Sequence, residues 1–234
     1  MWGFFKAKDM GIDLGTANTL IYVKDTGIVL NEPSVIAVDA DSSKILAVGI
    51  EAKAMLGKSP RNISVIRPLQ DGVISDFDKT ADMLRTFIER AMGQKKMRNY
   101  RVAVGVPTGV TEVEKRAVEE VVRQMGATEV YILEEPMAAA IGAGLPVDGT
   151  TGCMIADIGG GTTDVAIIAL GGGVASTSIR HAGDKFNEAI IQYIRRRHAL
   201  LIGDRAAEAL KINIGCACMG EAEFGGEGIE TLRG

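Results

Sequence analysis

The sequence predicts an α/β fold in which a strand–turn–strand unit occurs twice, each copy with its own sheet and flanking helices. Three observations predict it. Asp13-Leu-Gly-Thr-Ala-Asn-Thr19 and Asp157-Ile-Gly-Gly-Gly-Thr-Thr163 share an acid, an apolar residue, a glycine and hydroxyls, and each joins one apolar run to the next. Strand-like and helix-like periods alternate along the chain. Hydrophobic residues make up 47% of 234, enough for a real core in one large or two modest domains.

Residues 11–14, 20–24 and 28–30 read as three short strands, and 34–38 and 45–48 as two more. Residues 51–56 form a short helix, and 61–74 read as irregular, broken by Pro68 and by Asp71-Gly72. Residues 78–92 have helical spacing, with Met83, Leu84, Phe87, Ile88 and Ala91 on one side. Residues 101–106 are a buried strand stopped by Pro107. The helix 111–124 follows, with Thr111 and Glu114 in a capping-box pattern and Gly126 as its stop. Residues 130–133 form a strand, and Glu134-Glu135-Pro136 opens an alanine-rich helix over 137–143. After a linker at 145–152 the pattern starts over. Strands are expected at 154–158, 165–170 and 174–179, and helices at 184–197 and 206–214. Phe186, Ile190, Ile191 and Ile194 are expected to face inward on the first of those helices. The glycine-rich tail 224–234 has no clear element.

Net charge is −4, so no broad basic surface invites nucleic acid. Arg195–Arg197 near a helix C-terminus complement the helix dipole. Three cysteines, Cys153, Cys216 and Cys218, are too sparse and odd for a disulfide framework and fit a reducing compartment. Cys216-Ala-Cys218 lacks a second ligand pair and reads as packing rather than metal binding. No apolar run reaches the length of a membrane-spanning helix. The opening MWGFFKAKDM is no signal peptide, because its apolar segment is short and has no cleavage site. Trp2, Phe4 and Phe5 beside Lys6 and Lys8 suit a membrane interface.

Glycine turns let backbone N–H groups converge on one point and make an anion nest. Two such turns, with hydroxyl and amide side chains, are suited to grip a polyphosphate from both sides. Asp13 and Asp157 alone would repel it, by roughly 4 kcal/mol per charge pair at about 4 Å and an effective dielectric near 20. A divalent cation between acid and phosphate reverses the sign, and Mg²⁺ suits that role. Other phosphate motifs fail. The glycines of DIGGGTTD lead into a strand, whereas a dinucleotide loop opens a helix. Ala52 stands where a P-loop needs its first glycine. Glu135 either caps its helix or orients a water at a γ-phosphate. Glu134 beside it reads as structural.

GIDLGTANT at 11–19, DIGGGTTD at 157–164 and EEPMAAAIGA at 134–143 resemble the superfamily of actin, sugar kinases and DnaK-type chaperones. NEPSVIAVD at 31–39, IRPLQDGVI at 66–74 and VGVPTGVTEVEKRAV at 104–118 narrow the resemblance to bacterial actins of the MreB and Mbl type. It runs from Met10 to about Gly215.

That resemblance implies an actin-like ATPase fold of duplicated ribonuclease H-like mixed sheets with flanking helices, the second lobe incomplete. The first lobe would span 1–149, with a small subdomain inserted at about 33–72. The second would begin at 150, with core strands to about 183 and a helical subdomain over 184–234. Asp13, Gly15, Thr16, Ala17 and Asn18 match one phosphate motif; Asp157, Gly159, Gly160, Gly161 and Thr162 match the other. Asp13 and Asp157 would hold Mg²⁺ through water. Glu135 and Thr162 match the positions that hold the attacking water. Glu208 and Lys211 match a ribose-contacting pair; on sequence alone they are a solvated helix face.

The resemblance also implies a cytoplasmic, membrane-associated filament. It would self-assemble with ATP on the inner face of the cytoplasmic membrane, hydrolyse ATP slowly, work with membrane proteins of the cell-wall elongation machinery, and guide rod shape. Trp2, Phe4 and Phe5 would attach it. The family's second adenine-binding segment and returning helices would follow residue 234, so the chain as it stands is expected to bind ATP and polymerise poorly. A soluble small-molecule kinase of the same superfamily and a truncated, non-functional actin homologue are the alternatives.

Overall fold

The computed structural model describes residues 8–70, 72–93, 99–216 and 229–232. Trp2, Phe4, Phe5, Cys218 and most of the tail 224–234 lie outside the described residues. The chain divides into two compact units, Met1–Arg180 and His181–Gly234.

The first unit begins with β1 (Lys8–Leu14), β2 (Asn18–Val23), β3 (Gly27–Pro33), β4 (Ile36–Asp39), β5 (Ile45–Val48) and α1 (Ile50–Met55). It continues with β6 (Ile63–Ile66), β7 (Leu69–Gln70), β8 (Val73–Ile74), α2 (Phe77–Met92), β9 (Tyr100–Val106) and α3 (Glu112–Gln124). It ends with β10 (Ala127–Glu134), α4 (Glu135–Gly142), β11 (Cys153–Ile158), β12 (Thr163–Ala169) and β13 (Gly172–Ile179). The second unit contains α5 (Gly183–His198) and α6 (Asp204–Ile214).

The largest sheet has the order β10-β9-β1-β2-β3. β1, β2 and β3 form an antiparallel meander, and β9 and β10 extend it in parallel with β1. A second antiparallel meander, β11-β12-β13, repeats the first three strands. The duplication read in the sequence is therefore a duplication of meanders. β5-β4-β6 make a small separate sheet against α1.

Alternation on β1 decides which face carries chemistry. Met10, Ile12 and Leu14 are buried, so Asp13 points to the opposite face. The buried side joins Ile21, Val102, Val104 and Val106 to one core with Met83, Leu84, Phe87 and Ile88 of α2 and Val118, Val121 and Val122 of α3. Each such side chain contributes about 1.5–3 kcal/mol on full burial. α2 starts on Asp76, whose carboxylate accepts from the Lys79 N–H at 3.0 Å, and stops at left-handed Gly93. α3 carries the capping box expected from Thr111 and Glu114.

Two readings of the sequence need correction. Residues 61–74 are not irregular throughout. β6 pairs with β4, and Leu69 and Gln70 pair with Ile74 and Val73. β6 lies ahead of Pro68 and gains its partner from a distant strand, and the glycine read as a breaker, Gly72 at φ +74, falls in the turn between β7 and β8. On α5, Phe186 does not turn inward and is 49% exposed. Asn187 takes the buried position instead, and its Nδ2 donates to Asp204 Oδ1 on α6 at 3.3 Å. Among the described residues no helix is long and apolar enough to cross a membrane.

Candidate functional site

β1 and β2 are joined by residues 15–17, with Leu14 paired to Thr19. The turn doubles back so tightly that a Cβ on Gly15 would stand 2.6 Å from the Asn18 carbonyl oxygen. Only glycine fits. Ser34 braces the turn from below: its hydroxyl donates to the Gly15 carbonyl at 2.6 Å, and its backbone N–H donates to the Ala17 carbonyl at 2.9 Å. Thr19 lies 3.0 Å from the Ser34 hydroxyl, and both side chains are fully buried. Thr16 is buried as well, while Asn18 stays exposed.

The second meander supplies the matching turn. Asp157 pairs with Asp164, and Ile158 with Thr163, around residues 159–162. The Gly159 N–H donates to the Thr162 carbonyl at 2.9 Å, and Thr162 and Asp164 are buried. The two turns touch: a Cβ on Gly160 would overlap the Cβ of Ala17. The motifs that looked alike in sequence thus face each other across van der Waals distance.

Glu135 reaches the same place from the start of α4. β9 offers Gly105 beside Asp13, and a Cβ there would lie 3.9 Å from both the Asp13 Cα and the Glu135 Cγ. The missing side chain leaves room for Glu135 to cross toward Asp13. α4 then packs its Met137 and Ala140 on Ala166 and Ile168 of β12, which ties Glu135 to the second meander. Glu134 points away and pairs with Lys115 at 3.5 Å, the structural role expected of it.

The electrostatics follow from four carboxylates in one crowded region. Burial pushes Glu135 up to about 8, and the charges of Asp13, Asp157 and Asp164 add to the rise. Asp13 keeps a solvent-accessible edge, yet the dense protein around it and the charge of Asp157 raise it to about 6. Asp157 is raised by burial and by Asp164. Glu135 Oε1 and Asp164 Oδ1 are buried without a hydrogen-bond partner. Orphaned acceptors in a field of like charge favour a cation or a proton donor.

Among the described residues no three His, Cys, Asp or Glu side chains stand close enough to cage a metal alone. Two carboxylates with ligand oxygens complete a Mg²⁺ shell more readily than a protein cage does. Hard oxygen donors, glycine turns and unpartnered acceptors fit a magnesium–polyphosphate.

The structure therefore brings together Asp13, Gly15, Thr16, Ala17, Asn18, Glu135, Asp157, Gly159, Gly160, Gly161 and Thr162 in the first unit. Glu208 and Lys211 stand three residues apart on α6 in the second unit, where Lys211 Nζ donates to the Gly183 carbonyl at 2.9 Å. Reading the sequence missed Ser34, Thr19 and Asp164. Ser34 lies inside the NEPS run, but nothing in that run says that its hydroxyl would meet a turn nineteen residues earlier.

A pair of matched hairpin turns on duplicated meanders, with carboxylates clustered beside them, is the arrangement of an actin-like α/β protein. A family model described as MreB/Mbl protein matches residues 7–227, and the chain belongs to that family. The cell shape-determining protein MreB of Escherichia coli strain K12 is 55% identical over 220 residues, covering 92% of this chain and 63% of that protein. The chain thus spans less than two thirds of this relative. MreB5 of Spiroplasma citri, solved bound to ADP, superposes with a TM-score of 0.82 at 41% identity, covering 92% of this chain and 65% of that one. Its AMPPNP-bound structure gives 0.80 at 40%, with the same coverage. The MamK double helical filament gives 0.69 at 24% identity, over 88% of this chain and 64% of that one, which shows the fold alone.

Proposed function

We propose that the protein is a nucleotide-dependent filament subunit that helps to set cell shape. The observation that carries this reading is the contact between the two glycine turns, with Asp13, Asp157 and Glu135 beside them. Backbone N–H groups of residues 15–18 and 160–162 bind the phosphates of ATP from two sides, while the Gly159 N–H closes the second turn on the Thr162 carbonyl. Asp13 and Asp157 hold Mg²⁺ through its waters. When bound, Mg²⁺ supplies the positive charge that lets acids and phosphates share the region. Glu135 orients a water and, in its ionised form, accepts its proton; a cation beside the acids that raise it to about 8 would favour that form. Thr162 fixes the same water. The ADP- and AMPPNP-bound MreB5 structures support the nucleotide, and the family's cell-shape proteins support the role.

Residues 1–149 then form one lobe, and those from 150 onward begin the other. Hydrolysis acts as a timer on the filament. The subunits assemble on the cytoplasmic face of the membrane, beside membrane proteins of the elongation machinery. Trp2, Phe4 and Phe5 enter the lipid interface. Their burial gives roughly 5–9 kcal/mol before ordering costs, and a filament multiplies it by avidity.

Calorimetric titration with ATP, in Mg²⁺ and then in EDTA, tests the core of the reading. Binding, even if weak in the chain as it stands, should require Mg²⁺ and disappear in Asp13→Ala and Asp157→Ala. Equal binding in EDTA would refute it. Pelleting with lipid vesicles, with and without Mg-ATP and after replacing Trp2, Phe4 and Phe5 by serine, tests attachment.

A further inference from the structure

We propose that Gly72 is a positioning residue for Thr162: the bare backbone at the start of β8 presses on the Thr162 methyl group and holds its hydroxyl in one setting. The inference rests on the reading of Thr162 as a residue that fixes the attacking water.

Three contacts carry it. A Cβ on Gly72 would stand 2.6 Å from Thr162 Cγ2 and 3.5 Å from Oγ1, so the methyl and not the hydroxyl meets the backbone. Gly72 cannot retreat easily. A Cβ on Gly109, in the loop after β9, would lie 3.3 Å from the Gly72 carbonyl oxygen and 3.5 Å from Val73 Cγ1, so that loop also packs closely on this backbone. Thr162 cannot retreat either, because it is 5% exposed and its backbone carbonyl is held by the Gly159 N–H. Two glycines, a hairpin and a β-branched side chain therefore form one stack. A threonine has few staggered χ1 settings, and contact at its methyl selects among them. The hydroxyl then points where the packing sends it. Movement of the β7–β8 hairpin would reach the water through this contact.

The second glycine property must be separated from the first. Gly72 has φ +74, so any other residue there is strained by its backbone alone. A double-mutant comparison removes that strain from the answer, because it is the same in both backgrounds. Gly72→Ala is placed in the native chain and in a Thr162→Ser background, which keeps the hydroxyl and deletes the methyl. Phosphate release and nucleotide affinity are measured separately in each.

In the native background Gly72→Ala should lower kcat about 10- to 100-fold, the cost of a misplacement near 1 Å, with nucleotide affinity unchanged. In the Thr162→Ser background the same change should lower kcat far less. An equal loss in both backgrounds would overturn the proposal. If Gly72→Ala fails to fold, folding of the double variant supports the contact, and failure of both overturns it. Methyl NMR of the nucleotide-free protein gives a reading that needs no activity. Gly72→Ala should shift the Thr162 methyl resonance and its χ1 couplings; an unmoved resonance would sink the inference. Should the native protein neither bind nor hydrolyse ATP, the proposed function falls, while the methyl signal still decides the role of Gly72.

Discussion

Replacing Glu135 by glutamine should change how the stability of the ligand-free protein depends on pH. Glu135 sits at about 8 in the folded protein and at 4.5 as an ordinary glutamate. Below both values the folded and unfolded states carry the same proton, and the residue contributes no difference. As pH rises past 4.5 the unfolded side chain ionises while the folded one stays protonated. The folded state then binds more protons, so stability falls with rising pH until the folded group also ionises near 8. Integrated from about pH 5 to about pH 8, the loss from this one group is about 3 kcal/mol. Glutamine keeps the shape and cannot ionise. Glu135→Gln should therefore lose that part of the slope and gain stability over the native chain toward pH 8. Urea midpoints at the two pH values, without nucleotide or divalent cation, measure it. Asp13 and Asp157 shift in the same direction, so some slope survives in the variant. A slope identical in native chain and variant would refute the placement of Glu135 in a buried, acid-rich region.

Gly160→Val should separate the two turns, because its side chain would overlap Ala17; Mg-ATP affinity should fall sharply in calorimetry, with about 1–3 kcal/mol of stability lost. Ser34→Ala removes the brace under Gly15 and a partner of Thr19. It should cost about 1–3 kcal/mol in denaturant unfolding and weaken nucleotide binding as the first turn loosens. Phe87→Ala opens the fully buried centre of the core and should cost about 3–5 kcal/mol by urea denaturation.

Much of the fold was legible because its signals are local. The helix containing Met83, Leu84, Phe87 and Ile88 announces itself by spacing, and all four are buried in α2. The Thr111–Glu114 cap is a four-residue pattern and forms as read. The strands around both glycine turns follow from their apolar runs. Local signals failed at 63–66, which form a strand because distant β4 supplies their partner, and at α5, where Asn187 displaces Phe186 from the buried position.

By itself the sequence determined the chemistry of each turn: glycines that free the backbone, an acid before each, and hydroxyls beside them. It also determined that the unit occurs twice. Only the tertiary structure decided that the turns touch, that Ser34 braces one of them, that Gly72 presses on Thr162, and that four acids share one region. The physical reason is range. Backbone freedom and periodicity are set within a few neighbouring residues, whereas contact, desolvation and charge coupling depend on which distant strands the packed core brings side by side.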